Sequence, residues 1–258
     1  MVAVSEVERV LDRVYVAAEG ASLRDEDKKK AVEVAALLGE LARVAAGKAV
    51  TLVDAAAGKA YLGVIAARLV LGPGSRVVAI ERDERRRAAA FAAFAALDAP
   101  GVAFEARAGD VADPRLWPDE PDLVVALHAC GVASDHVLDR AVGARARRLW
   151  LVPCCYGATL PGDALARGAA ALLGLPRHAP IRRRFAQAVI DAERALRLEE
   201  AGYETEVVEL IPPTVSPHNL VFRARRVGEP VRSARARDSL ARLTAAISGG
   251  WEGDRSSR

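Results

Sequence analysis

Small and polar residues follow three apolar runs of the sequence, at 49–54, 76–80 and 102–106, in a pattern typical of nucleoside binding. Residues 54–62, DAAAGKAYL, lead from the first run into a helical pattern through small residues. Small residues let the backbone approach a ligand, and the N-terminus of a helix offers unpaired N–H groups. Glu81 ends the second run, where an acid can bind a ribose diol, and Asp110 follows the third. Together they predict a nucleoside cleft, although Glu81 alone is equally well explained as a surface charge.

A second set of chemically active side chains follows later strands. It consists of His128, Cys130, Cys154, Tyr156, His218 and Asn219. We expect all six at one edge of the sheet, because the last strand is predicted to run antiparallel and begins where the others end. There they would form an acceptor pocket, with His128 or His218 as proton acceptor.

Two other interpretations of this second set remain open. In the first, His128 is a hydrogen-bonded structural histidine and the cysteines are small buried hydrophobic residues. In the second, histidine and cysteine side chains bind a metal ion. The cysteines lack paired CxxC spacing, so no metal is predicted.

The elements that must position these residues alternate between strands and helices. The strands are predicted at 49–54, 76–80, 102–106, 122–127 and 148–152, with helices at 59–71, 83–97 and 134–142. This alternation predicts an α/β protein with a parallel sheet covered on both faces. A helix over 181–201 then precedes strands at 204–211 and 220–226, and their short proline-rich connection predicts an antiparallel hairpin.

Three regions follow from this pattern. Residues 1–47 have apolar residues at helical spacing and are predicted to form an N-terminal helical segment over the cleft. Residues 48–227 contain the strands and every polar position named above. Residues 228–258 are predicted to be an irregular arginine-rich tail with a short helix at 234–247.

Composition restricts the class of protein. The chain has 258 residues, of which 52% are hydrophobic and 28% charged, as expected for a globular protein. No apolar run reaches the roughly 20 residues that cross a bilayer, and residues 1–12 lack the pattern of a signal peptide. Three cysteines are too few for a disulfide framework. We expect a cytoplasmic protein with reduced thiols and no membrane contact.

The charge of the chain is carried mainly by arginine. Only 5 of the 37 basic residues are lysine, and the formal net charge is +3. From residue 223 onward, the sequence contains nine arginines and four acidic residues. Guanidinium groups suit bidentate contacts with phosphate, which favours an RNA partner, whereas the simpler interpretation is a solvated tail.

Several motifs occur together in one order along the chain. They are Asp-x-x-x-Gly-Lys-x-Tyr-Leu at 54–62, Leu-His-Ala-Cys-Gly at 127–131, Pro-Cys-Cys at 153–155, Asp-x-x-Arg at 191–194 and Ser-Pro-His-Asn at 216–219. This order resembles S-adenosylmethionine-dependent methyltransferases that carry a DxGxGKGYL loop, an LHACG strand end and a PCC turn. The resemblance covers residues 28–226 and implies a Rossmann-like seven-stranded sheet. Relatives include tRNA ribose 2′-O-methyltransferases and a group linked to protein methylation.

The resemblance implies a role for each matching residue. Asp54 and Gly58 would contact the methionine part of the cofactor, Glu81 the ribose and Asp110 the adenine amine. The full cofactor-binding set is Asp54, Ala56, Gly58, Lys59, Tyr61, Glu81, Asp110 and His128. Ala56 and Ala60 replace glycines of the family loop, and a Cβ there costs conformational freedom or room for the ligand.

The sequence therefore predicts an S-adenosylmethionine-dependent methyltransferase, with RNA, either tRNA or rRNA, slightly favoured over protein as acceptor. One alternative is a non-catalytic adaptor that keeps the fold and has lost the cofactor, which the two loop alanines would favour. Another is a nicotinamide-dependent oxidoreductase. The oxidoreductase is disfavoured because GxGxxG is absent and the terminal hairpin fits methyltransferases better.

Overall fold

A seven-stranded sheet forms the centre of the computed structural model, which describes residues 2–17, 20–156 and 160–248. The strands are β1 (Thr51–Ala55), β2 (Arg76–Glu81), β3 (Ala103–Ala108), β4 (Leu123–Ala129), β5 (Arg148–Pro153), β6 (Tyr203–Glu209) and β7 (Leu220–Arg226). Their order is β3-β2-β1-β4-β5-β7-β6. The pairs among β1 to β5 are parallel, and β7 runs antiparallel to both β5 and β6. The predicted α/β fold with a terminal antiparallel hairpin is confirmed.

Helices cover both faces of the sheet. They are α1 (Val4–Leu11), which continues into a π-helical turn (Asp12–Val16), α2 (Asp25–Ala45), α3 (Tyr61–Leu69), α4 (Glu84–Ala95), α5 (Ala133–Gly143), α6 (Pro161–Leu172), α7 (Ala179–Glu200) and α8 (Pro230–Ser248). None of these helices, within the ranges described, is long and apolar enough to cross a bilayer.

The alternation of side chains along each strand divides the core into two layers. Leu52 belongs to the apolar layer that includes residues of α1 to α4, whereas its neighbour Val53 belongs to the layer that includes residues of α5 and α7. Both side chains are completely buried. The central strands therefore have continuous apolar sequences, which is typical of parallel strands covered on both faces.

Two segments differ from the sequence-based expectation. Helix α6 was not predicted, because its alanines and glycines give a weak helical pattern, but Pro161 is well suited to the first turn. The tail is helical from Pro230 rather than irregular up to residue 234. Residues 249–258 of the predicted tail lie outside the described residues.

Helix α8 is held to the sheet domain by its arginines. Arg232 approaches Glu199 and Glu204, at 3.9 and 3.8 Å, and Arg237 lies 3.1 Å from Glu200. These acids belong to α7 and β6. Part of the positive charge expected to make the tail an RNA contact is therefore balanced within the chain.

A buried ion pair joins α5 to α7. The Arg194 guanidinium donates to both oxygens of Asp135, at 3.1 and 2.8 Å, and the two residues are 0% and 2% exposed. The same guanidinium lies 5.6 Å from the centre of the Tyr156 ring. A buried bidentate pair has a narrow range of allowed geometry, so it fixes the orientation of α7 relative to α5.

Replacing Arg194 with methionine should lower the free energy of unfolding by about 3 kcal/mol, because Asp135 would lose its bidentate partner and keep only the single contact with Arg197 at 3.2 Å. Urea denaturation at pH 7 measures the loss. Arg183→Met is the matched control, since Arg183 is exposed on the same helix and should change the value by less than about 0.5 kcal/mol. Equal effects of the two substitutions would contradict a stabilising role for the pair.

Candidate functional site

Two adjoining cavities lie at the carboxyl ends of the parallel strands. The first, of about 230 Å³, is lined by residues that include Glu81, Asp110, Cys130 and His136. The second, of about 350 Å³, is lined by residues that include Lys30, Asp54, Gly58, Lys59 and Tyr61. Both cavities share Ala56, Arg86 and His128. We call the two together the cleft.

Asp54 is the penultimate residue of β1, at the second cavity, and its carboxylate contacts the helix that follows. Its Oδ2 accepts a hydrogen bond from the Gly63 N–H at 2.9 Å, and burial raises its pKa to about 7. A Cβ on Gly63 would lie 2.9 Å from Val77 Cγ1 and 3.0 Å from the Asp54 carboxylate. Glycine at this position therefore allows α3 to approach the strand end closely.

Both alanines of the loop have a left-handed backbone, with φ of 51° at Ala56 and 54° at Ala60. For an L-residue other than glycine this conformation costs roughly 1–2 kcal/mol. Ala60 is fully buried at the N-cap of α3 and does not line the cleft, whereas Ala56 lines both cavities. Ala60 therefore adds only strain, whereas Ala56 also borders the cleft.

Glu81 connects the loop to the first cavity. Its Oε2 accepts from the Gly58 N–H at 2.8 Å, and its Oε1 accepts from the Asp83 N–H at 2.9 Å. Glu81 is 8% exposed, which excludes the interpretation of a freely solvated charge. Each carboxylate oxygen keeps a second lone pair that can accept from a ligand hydroxyl.

Asp110 lies at the rim of the first cavity. Its Oδ1 accepts from the Ala112 N–H at 2.9 Å and is 3.8 Å from His136 Nδ1. Arg82 approaches its other oxygen at 4.0 Å. The side chain is about half exposed, so it is accessible to a ligand amine.

The N-terminal segment packs against the loop of the second cavity. The Tyr15 hydroxyl, on the π-helical turn, donates to the Lys59 carbonyl at 2.8 Å. The rings of Tyr15 and Tyr61 meet edge to face with 4.5 Å between their centres. Burial raises the pKa of Tyr15, so this hydroxyl remains a donor. Both contacts fix the loop that bears Lys59 and Tyr61.

Glu33 of α2 forms a second contact between the N-terminal segment and the cleft. Its Oε1 lies 2.9 Å from His128 Nε2, and its Oε2 accepts from Lys30 Nζ at 2.8 Å. Although burial acts in the opposite direction, the hydrogen bonds from His128 and Lys30 lower the Glu33 pKa to about 2. Sequence reasoning missed Glu33, although an acid one turn before Leu37, among mostly apolar positions of the buried face of α2, is a detectable signal.

His128 has a left-handed backbone, φ 61°, at an irregularity in the pairing of β4 with β5. Its Nδ1 is buried and has no hydrogen-bond partner among the described residues. Nε2 is occupied by Glu33. Nδ1 is therefore the ring nitrogen left to accept a proton, and the role of His128 as proton acceptor stays a prediction.

The three cysteines lie together next to the cleft. The Sγ atoms of Cys130 and Cys154 are 2.8 Å apart, those of Cys154 and Cys155 are 3.4 Å apart, and all three lie within 4.8 Å of one another. Only Cys154 is buried. The interpretation of all three as buried hydrophobic residues is therefore wrong for Cys130 and Cys155.

The other members of the predicted acceptor pocket do not line the cleft. Tyr156 donates to both oxygens of Asp191 at 2.9 Å, and it borders a separate cavity between α6 and α7. The amide of Asn219 donates to the Ile211 carbonyl at 3.1 Å and closes the β6–β7 connection. The His218 N–H donates to Ser216 Oγ at 3.3 Å.

Glu33→Gln should lower the free energy of unfolding by about 3 kcal/mol at pH 7, because a carboxylate with a pKa shifted from 4.5 to about 2 stabilises the folded state. The folded pKa lies below the unfolded one, so this contribution is complete above pH 4.5 and disappears as the pH falls toward 2. Urea denaturation at pH 7, 5 and 3 should show wild type and variant converging. Glu26→Gln, exposed on the same helix, is the control; a difference independent of pH would contradict the assignment.

Comparison with known proteins shows which family the chain resembles. Residues 27–159, just over half of the chain, match a family model described as a methyltransferase domain. A glutathione S-transferase C-terminal domain-containing protein of Xenopus laevis is 27% identical over 205 residues, and its human counterpart 27% over 201. Both alignments cover 70% of this chain, which spans about a third of the length of these curated relatives.

One solved structure supports the fold. Magnesium protoporphyrin IX methyltransferase from Synechocystis, with bound S-adenosylhomocysteine, superimposes with a TM-score of 0.52 at 15% identity. The match covers 86% of this chain and 95% of that one. At this identity the likeness concerns the fold alone.

The residues of the cleft fit S-adenosylmethionine. The second cavity combines the Asp54 carboxylate with the Lys30 ammonium, as the zwitterionic amino-acid end of that cofactor requires. The first cavity has the Glu81 and Asp110 carboxylates, which can accept from a ribose diol and an adenine amine. The family match and this arrangement establish S-adenosylmethionine as the cofactor, and the chain belongs to the methyltransferase-domain family.

Proposed function

We propose that this chain transfers a methyl group from S-adenosylmethionine to RNA, either tRNA or rRNA. The observation that carries the proposal is Arg86, whose side chain is exposed and lines both halves of the cleft. Its guanidinium has no ion pair or hydrogen bond within the part of the chain that the structure describes. An unpaired guanidinium at this position suits a phosphate next to the group to be methylated.

The bound cofactor supplies an electrophilic methyl group. Asp54 would hold its amino-acid end, Glu81 its ribose and Asp110 its adenine, while the Glu33–His128 contact joins α2 to the strand end beside the cleft. Most of the rate can come from this positioning of the methyl group and the acceptor in line.

Other unpaired arginines support an RNA acceptor. Arg183 and Arg184 are exposed near the start of α7, and neither has an ion pair within the described ranges. The arginines of α8 that pair with Glu199, Glu200 and Glu204 contribute less to a surface for phosphates. A protein acceptor is the alternative, and it differs by requiring few phosphate contacts.

A non-catalytic adaptor remains a second candidate because of one observation. Ala56 places a Cβ where the two cavities meet and strains the loop. Weaker cofactor binding is the expected consequence of crowding by this methyl group.

Glu81→Ala should weaken binding of S-adenosylhomocysteine by about 1–3 kcal/mol, because a ribose hydroxyl and the Gly58 N–H would lose their acceptor. Isothermal titration calorimetry measures the affinity. Glu105→Ala, a partly exposed acid on β3 outside the cleft, should bind as the wild type does. Unchanged affinity in Glu81→Ala would place the site elsewhere, and no binding by the wild type would favour the adaptor.

Binding of tRNA or rRNA should weaken with salt in proportion to the phosphates contacted. Arg86→Ala and Arg183→Ala should each reduce the slope of log affinity against log salt by about 1. Arg237→Ala, which removes an arginine already paired with Glu200, should leave the slope unchanged. Filter binding between 50 and 200 mM salt tests this, and a flat dependence would favour a protein acceptor.

A further inference from the structure

All three cysteines of the chain converge on one place. Cys130 follows β4, and Cys154 and Cys155 follow β5, so two separate strand ends contribute to the cluster. The sequence contains no other cysteine. The cluster lies outside the contacts assigned above to the cofactor, apart from the edge that Cys130 shares with the first cavity.

The spacing of the sulfur atoms suits a small soft cation. Zn²⁺ binds thiolates at about 2.3 Å in a tetrahedral arrangement, which places two sulfur ligands roughly 3.8 Å apart. The two separations of 2.8 and 3.4 Å are somewhat shorter than that value, and all three sulfurs lie within 4.8 Å of one another, so small side-chain rotations would let them share one ion. Cys130 and Cys155 are exposed, so rotation about their side-chain bonds can adjust the distances without moving the strands.

Two of the three cysteines directly follow strands of the sheet. The Ser134 hydroxyl donates to the Ala129 carbonyl at 2.5 Å and holds the turn that bears Cys130. Cys154 follows directly on Pro153, the last residue of β5, and is buried. Rigid elements therefore present two of the sulfurs, as a precise metal site requires.

A disulfide is a poorer explanation of the cluster. A bond between the adjacent Cys154 and Cys155 would form a strained ring, and a bond between Cys130 and Cys154 would leave Cys155 unused. A three-ligand site uses every sulfur. We propose that Cys130, Cys154 and Cys155 bind one Zn²⁺ or a similarly soft divalent cation, with a fourth coordination position left for water or a small ligand.

Binding is an exchange of protons for the cation. Each thiol releases its proton to the solvent as its sulfur bonds to the ion, so three protons leave for each ion bound. No oxidant or reductant takes part. The proposal is independent of methyl transfer, because it concerns binding of the cation without cofactor or acceptor.

The test uses the reduced, metal-free chain titrated with ZnCl₂ against a chromophoric chelator. We expect one high-affinity ion per chain and protection of the three thiols from Ellman's reagent. Cys130→Ser and Cys155→Ser should each weaken binding more than about 100-fold, beyond the 10–100-fold typical of losing a supporting residue. Both positions are exposed, and circular dichroism checks that the variants fold.

His178→Ala is the control, because His178 is an exposed potential ligand outside the cluster. It should bind Zn²⁺ as the wild type does. Titration with Cd²⁺ provides a second readout, since cadmium–thiolate bonds absorb in the ultraviolet, and the absorption should decrease in both serine variants. Wild-type binding no tighter than that of the serine variants would overturn the proposal, as would thiols that stay reactive at saturating Zn²⁺.

Discussion

Parallel pairing of β1 to β5 is the constraint on which the rest of the molecule depends. Since every one of these strands runs in the same direction, the residues that follow them meet at one edge. Asp54, Glu81, Asp110 and Cys130 reach the cleft for this reason alone, although up to 76 residues separate them in the sequence. The helices on both faces exclude water from the strands and so keep that edge in register.

The sheet builds only the floor of the cleft. Its roof comes from the N-terminal segment, through the contacts of Tyr15 with the Lys59 carbonyl and of Glu33 with His128. Both contacts join elements distant in sequence by side-chain hydrogen bonds. The segment therefore contributes to the site, and its Lys30 lines the second cavity.

The sequence predicts the sheet and the strand ends well because they depend on the hydrophobic periodicity of each segment and on the parallel direction of the strands. Glu81 was placed correctly at a strand end for that reason. Hydrogen-bond partners depend on tertiary distances, so the bonds of Tyr156 to Asp191 and of Asn219 to Ile211 could not be foreseen. The pairing of α8 arginines with α7 acids was missed for the same reason. Charge counted along a chain does not show which charges already have partners.

The double use of Glu81 has an energetic consequence. One carboxylate holds the Gly58 N–H of the amino-acid half and faces the nucleoside half of the cleft. A ligand hydroxyl that donates to Glu81 shares the carboxylate that also accepts from the Gly58 N–H, in the loop strained at Ala56. The two cavities are therefore coupled through one carboxylate, so a ligand group that binds to it in one cavity changes the free energy of binding in the other.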